Sequence, residues 1–101
     1  MKTNQIVNVS VVQDAPILFQ LPQTIEKIGD LTQKAASQKT DLVLFPEAFI
    51  PAYPRGLSFG MVVGNRNEIG KELWLKYWEN SISLESEEVN QLCKIPLVNQ
   101  L

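Results

Sequence analysis

The chain contains no histidine and a single cysteine, Cys93. Zinc sites of the usual Cys/His kind, histidine-based catalytic triads and intramolecular disulfides are therefore excluded. Net charge is small as well. The net charge is −2, and the nine basic residues are scattered along the chain. A nucleic-acid surface needs clustered Lys and Arg to neutralise phosphates, so that class is excluded too. No run approaches the roughly 18 apolar residues of a membrane span. Ile6 to Val12 is the one candidate for a signal segment; Asn8 and Ser10 interrupt it, and no small-residue cleavage site clearly follows. A soluble, cytoplasmic protein with no membrane or nucleic-acid partner is expected. A glycine-rich phosphate loop is missing as well. Gln13-Asp14-Ala15-Pro16 follows the first apolar run instead, which weighs against a flavodoxin-like ligand-binding domain.

What remains is ordinary globular material. The apolar fraction is 45% and the charged fraction 20% over 101 residues, enough for one modest core and no more than one domain. Ile6, Val7, Val9, Val11 and Val12 form a β-branched run that predicts a mostly buried strand. Asp14-Ala15-Pro16 ends it. Pro22 suits the first turn of a helix, and Leu21, Ile25, Ile28, Leu31 and Ala35 then recur on one helical face. That helix tolerates Gly29 and fades near Gln38 to Thr40. Leu42 to Phe45 is a continuous apolar run, the mark of a strand covered on both faces. Strand, helix, strand in this order predicts a βαβ unit with parallel strands and a right-handed crossover. The fold class is α/β.

Residues 47 to 67 read as a long irregular segment punctuated by Pro51, Pro54, Gly56, Gly60 and Gly64, and loops of that length are usually functional or mobile. Ile69, Leu73, Trp74 and Tyr77 predict one side of a second helix, with Lys71, Glu72, Lys76 and Glu79 largely opposite. Ser86 is placed to cap a short third helix through Val89, Leu92 and Cys93, with Glu87 and Glu88 favourable in its first turn. Cys93 is expected as a small core residue on the apolar side of that helix. Pro96 is expected to stop it. An α/β domain should enter another strand here, but residues 95–101 read as a divergent tail. The two strands would then have unpartnered edges.

Glu47 follows the second strand directly, and ligand sites in open α/β sheets lie just beyond the carboxyl ends of strands. Burial beside Phe45, Pro46 and Phe49 would disfavour its charged form and suit it to general-base work. A plainer reading stands beside this one: Glu47 caps a backbone N–H or pairs with Arg55.

The stretch LVLFPEAFIPAYPRG, from Leu42 to Gly56, resembles the nitrilase branch of the carbon–nitrogen hydrolase superfamily. The strand ending in Phe45-Pro46-Glu47 is similar to the superfamily mark. Ala48-Phe49-Ile50 and Tyr53-Pro54-Arg55-Gly56 look like nitrilases rather than amidases or carbamoylases. VNVSVVQDAPILF resembles the family's first strand and turn, and LWLKYWENSISLESEEVNQL a later helical segment, so the resemblance covers about Ile6 to Lys94.

The resemblance implies a four-layer αββα sandwich, of which residues 6–94 would be the N-terminal βαβ part. It also implies a Glu-Lys-Cys chemistry. Cysteine attacks the nitrile carbon, glutamate acts as base and lysine stabilises developing charge. Ammonia leaves from a covalent thioimidate, and water releases a carboxylic acid. No metal or organic cofactor is implied. Glu47 matches the general base. Tyr53 falls where nitrilases place an aromatic near the substrate pocket, with a packed loop anchor as the open alternative. Arg55 either pairs with an acid or shapes the pocket mouth, and Lys71 and Lys76 read as solvated helix charges.

The family's lysine and cysteine have no match in these 101 residues. The family's cysteine lies in a turn after a strand and precedes Trp-Glu, whereas Lys94 follows Cys93. Trp78-Glu79-Asn80 looks superficially like that turn, but Tyr77 stands where the cysteine would be. A nitrilase part that stops before its lysine and cysteine, and is inactive alone, is therefore expected. The small-molecule partner would be a nitrile bound by the full-length family member. The alternative is a non-catalytic module that docks on full-length nitrilase subunits. The resemblance further implies assembly, as a homo-oligomer or with such subunits.

Overall fold

The computed structural model describes residues 5–52 and 68–101. Two strands, β1 (Val9–Val11) and β2 (Leu42–Leu44), pair in parallel with Val9 opposite Leu42 and Val11 opposite Leu44. Between them runs α1 (Leu21–Ala36). The βαβ unit expected from the apolar periodicity is thus present. Backbone bonds carry the pairing one step past each strand end, from Asn8 O to the Asp41 and Leu42 N–H groups and from Val12 N–H to Leu44 O. Ile6 and Val7 have no ladder to join, because β2 begins only after the turn that closes α1. They lie exposed.

The periodic face of α1 supplies the core. Leu21, Ile25, Ile28 and Ala35 are buried, each large aliphatic among them worth roughly 1.5–3 kcal/mol when removed from water. Gln20 gives no side-chain cap; instead the first orphan donor, the Leu21 N–H, is met by the Asn80 side-chain oxygen at 3.1 Å. At the far end Lys39 adopts φ 60°, the left-handed turn that a glycine more often supplies. Gly29 sits mid-helix, and a methyl group there would meet only Ile95 Cδ1 at 3.9 Å, an ordinary contact. Gly29→Ala is therefore expected to stabilise the fold by about 0.5–1 kcal/mol, read as a higher urea midpoint. A lower midpoint would mean that Ile95 cannot accommodate the methyl.

α2 (Glu68–Glu79) carries Trp74 and Tyr77 with their rings stacked 6.0 Å apart. Its charged residues Lys71, Glu72, Lys76 and Glu79 are exposed, as the pattern predicts. α3 (Glu87–Val98) starts at Ser86, whose hydroxyl accepts from the Val89 N–H. It packs against α1.

Three expectations are corrected. α3 does not stop at Pro96 but continues to Val98. Proline so near the end forfeits a single N–H, and the helix closes on a Schellman motif. Leu101 N–H donates to Pro96 O and Gln100 N–H to Leu97 O, with Gln100 at φ 59°. Cys93 is exposed rather than part of the core. α3 meets its neighbours along the narrow stripe of Val89, Leu92 and Ile95, which are half-buried, and Cys93 turns about 100° from Leu92 into solvent. Finally, the strands are covered on one face only. Ser10 and Val43 turn toward the helices and are half-buried, while Val9, Val11, Leu42 and Leu44 are 51–64% exposed. A continuous apolar run shows that both faces can be covered, not that they are.

Candidate functional site

The carboxyl ends of both strands open into one groove of about 340 Å³. The connection after β1 contributes Asp14, Pro16 and Leu18, and the turn after β2 contributes Pro46, Glu47 and Phe49. This is the place where open parallel sheets bind ligands.

The turn after β2 separates two neighbouring side chains by the conformation of the residue between them. Phe49 N–H donates to Pro46 O at 3.3 Å, and Ala48 takes φ 55°. Phe49 thereby enters the core at 5% exposure, with its ring 5.3 Å from that of Phe45. Pro51 and Ala52 are buried behind it. Glu47 is left at the groove, exposed. Burial around Glu47, expected from its apolar neighbours, is not found, because Phe49 takes the covered position. Among the described residues Glu47 makes no ion pair. Tyr53 and Arg55 lie outside the described residues.

The opposite wall is held by two clasps from α1. Lys27 Nζ bonds Asp14 Oδ1 at 2.9 Å and Ala15 O at 2.6 Å. Thr24 Oγ1 accepts from the Ile17 N–H at 3.1 Å and donates to Ile17 O at 3.0 Å. The Lys27 hydrogen bond, helped by the Ala15 N–H, holds the Asp14 carboxyl below its ordinary value of 3.8. A carboxyl with a lowered folded-state pKa contributes stability above its unfolded value, and that contribution is lost as pH falls through the folded one. Asp14→Asn is thus expected to be slightly less stable than the parent at pH 7, with the gap closing below about pH 4. Urea midpoints at the two pH values, at low salt, check it. A gap that persists in acid would assign the effect to packing.

Asp14, a groove residue, and its partner Lys27 went unnoticed in the sequence. The usable signal was position: Asp14 follows the first strand of a βαβ unit, as Glu47 follows the second. Cys93 is not in the groove. Lys71 pairs with Glu68 at 3.1 Å on the exposed surface of α2. Among the described residues there is no cluster of three or more potential metal ligands, and no helix is long and apolar enough to cross a membrane.

The family model for carbon-nitrogen hydrolases matches residues 8–100. The chain belongs to the carbon–nitrogen hydrolase family. Its βαβ unit is consistent with the N-terminal α/β part of that fold. Among its relatives, the bifunctional nitrilase/nitrile hydratase NIT4B of Nicotiana tabacum is 44% identical over 86 residues, which cover 85% of this chain and 25% of that protein. NIT4B of Lupinus angustifolius is 42% identical over 90 residues, 89% of this chain and 26% of that protein. Nitrilase 2 of Arabidopsis thaliana is 39% identical over 93 residues, 92% of this chain and 27% of that protein. This carbon–nitrogen hydrolase chain spans about a quarter of the length of the curated relatives it matches.

Proposed function

We propose that this chain supplies the base-bearing part of a nitrilase-type site, with Glu47 as the general base for converting a nitrile and two waters to a carboxylic acid and ammonia. One placement carries the reading. Glu47 stands at the carboxyl end of β2 on a groove shared with the β1 turn, with no competing ion pair among the described residues. The names of the relatives, nitrilase or nitrilase/nitrile hydratase, support a nitrile as the substrate class. In the reaction Glu47 takes the proton from an attacking thiol or water, which raises nucleophilicity at the nitrile carbon. Tyr53 is assigned to the substrate side of the pocket by the resemblance.

The thiol and the lysine that the family pattern requires have no counterpart in these 101 residues, so the chain assayed alone is silent. Members of a catalytic unit act together, and losing one often costs nearly as much as losing all. The test is a graft: residues 8–100 replace the matching quarter of the Nicotiana tabacum NIT4B. The folded chimera should release ammonia from a panel of nitriles, and the 101-residue chain should release none. A folded chimera without turnover would overturn the reading. So would ammonia from the chain alone that disappears in Glu47→Gln, because a nucleophile would then lie within it.

A further inference from the structure

The groove holds a second acid besides Glu47. Asp14, from the turn after β1, lines the same space of about 340 Å³. A groove of that volume is on the order of 10 Å across, about one Debye length at 0.1 M salt, so two carboxylates in it repel each other. Such repulsion disfavours the ionised form of each, and a general base has to be ionised. Asp14 is not left uncompensated. Lys27 Nζ on α1 bonds its Oδ1 at 2.9 Å. Both partners are also tied to the backbone of one residue. The Ala15 N–H donates to Asp14 Oδ1 at 2.7 Å, and Lys27 Nζ donates to Ala15 O at 2.6 Å. Each charge therefore keeps an anchor when the other is removed. Lys34 lines a neighbouring pocket with Asp14 and adds a weaker pull on it. Arg55 lies outside the described residues and is common to every variant below.

We infer that Lys27 is a positioning residue for the base: it cancels the charge of Asp14 at the groove wall, so that Glu47 does not share the groove with a second uncompensated carboxylate. Every group this device needs lies on the two turns and on α1. Its use in catalysis rests on the reading of Glu47 as the general base; the electrostatic coupling itself does not.

The test follows the carboxyl-carbon NMR signal of Glu47 against pH in the 101-residue chain, at about 0.01 M salt, where screening is weak. Glu47→Gln identifies the signal by its absence. Lys27→Met leaves Asp14 charged on the Ala15 N–H and should move the Glu47 titration up by roughly 0.3 pH unit. Asp14→Asn leaves Lys27 on Ala15 O and should move it down by a similar amount. The double variant should return to the parent, and every shift should fade at about 1 M salt. A merely structural role gives neither opposite signs nor cancellation. Lys27→Gln, which keeps a donor without the charge, decides the matter if the methionine variant loses its circular-dichroism signal. In the chimera with NIT4B, the acid limb of the kcat/KM profile should move in the same directions. A chimera without turnover would overturn the base reading and leave the coupling to be decided by the carboxyl titration. The inference is overturned if Glu47 titrates alike in all variants, if both single variants shift it the same way, or if the double variant does not restore it.

Discussion

Glu47→Gln, introduced into the chimera with the Nicotiana tabacum NIT4B, is expected to lower kcat for nitrile hydrolysis by about a hundredfold to ten-thousandfold. The amide has the shape of the carboxylate but cannot accept a proton from the nucleophile. In the structure Glu47 is exposed, and Phe49, not Glu47, fills the core behind the turn. The substitution should therefore leave the circular-dichroism spectrum and urea midpoint unchanged, which separates a lost base from a lost fold. Substrate contacts elsewhere in the pocket would keep KM close to the parent value. Initial rates of ammonia release measure both parameters. Equal kcat in the two proteins would remove Glu47 from the proton transfer and leave it as a groove-lining residue.

The second large effect concerns the wall opposite Glu47. Thr24 is 1% exposed, and its hydroxyl both accepts from and donates to the Ile17 backbone. Thr24→Val retains the shape and removes both bonds, leaving the part-buried Ile17 N–H without its partner, while Ile17 O keeps the Gln20 N–H. A loss of about 2 kcal/mol is expected. Thr24→Ser restores the hydroxyl and gives up one methyl, for a smaller loss of about 1 kcal/mol. Urea unfolding gives the order, with valine the worse. Because Ile17 belongs to the connection between β1 and α1, its amide should also exchange faster with solvent in Thr24→Val. If valine proved the milder change, methyl packing rather than the hydroxyl clasp would hold this wall.

The parts of this architecture that repeat were legible in the amino-acid order. Leu21, Ile25, Ile28 and Ala35 announce the buried stripe of α1 by spacing alone, and two apolar runs around it imply parallel strands. Ser86 declares the start of α3 through side-chain chemistry that acts locally. Features decided by remote contacts were hidden. Whether Cys93 is covered depends on how much of α3 finds a neighbour, and only one stripe does. Whether Leu42 and Leu44 are covered depends on a second layer that these strands do not specify. Backbone conformation was hidden as well. Ala48 and Gln100 adopt positive φ without being the glycine that would have signalled it, so the exposure of Glu47 and the end of α3 beyond Pro96 were not readable. Lys27 was hidden because its partner Asp14 lies thirteen positions away, across the turn that folding itself creates.

The exposed thiol of Cys93 also has a practical consequence. It is the chain's one cysteine, it stands on the solvent side of α3, and it lines neither the groove nor the bare strand face. A maleimide dye would therefore attach at a single defined place on the unaltered polypeptide. The labelled chain could report its rotational diffusion by fluorescence anisotropy with one probe, and with neither surface modified.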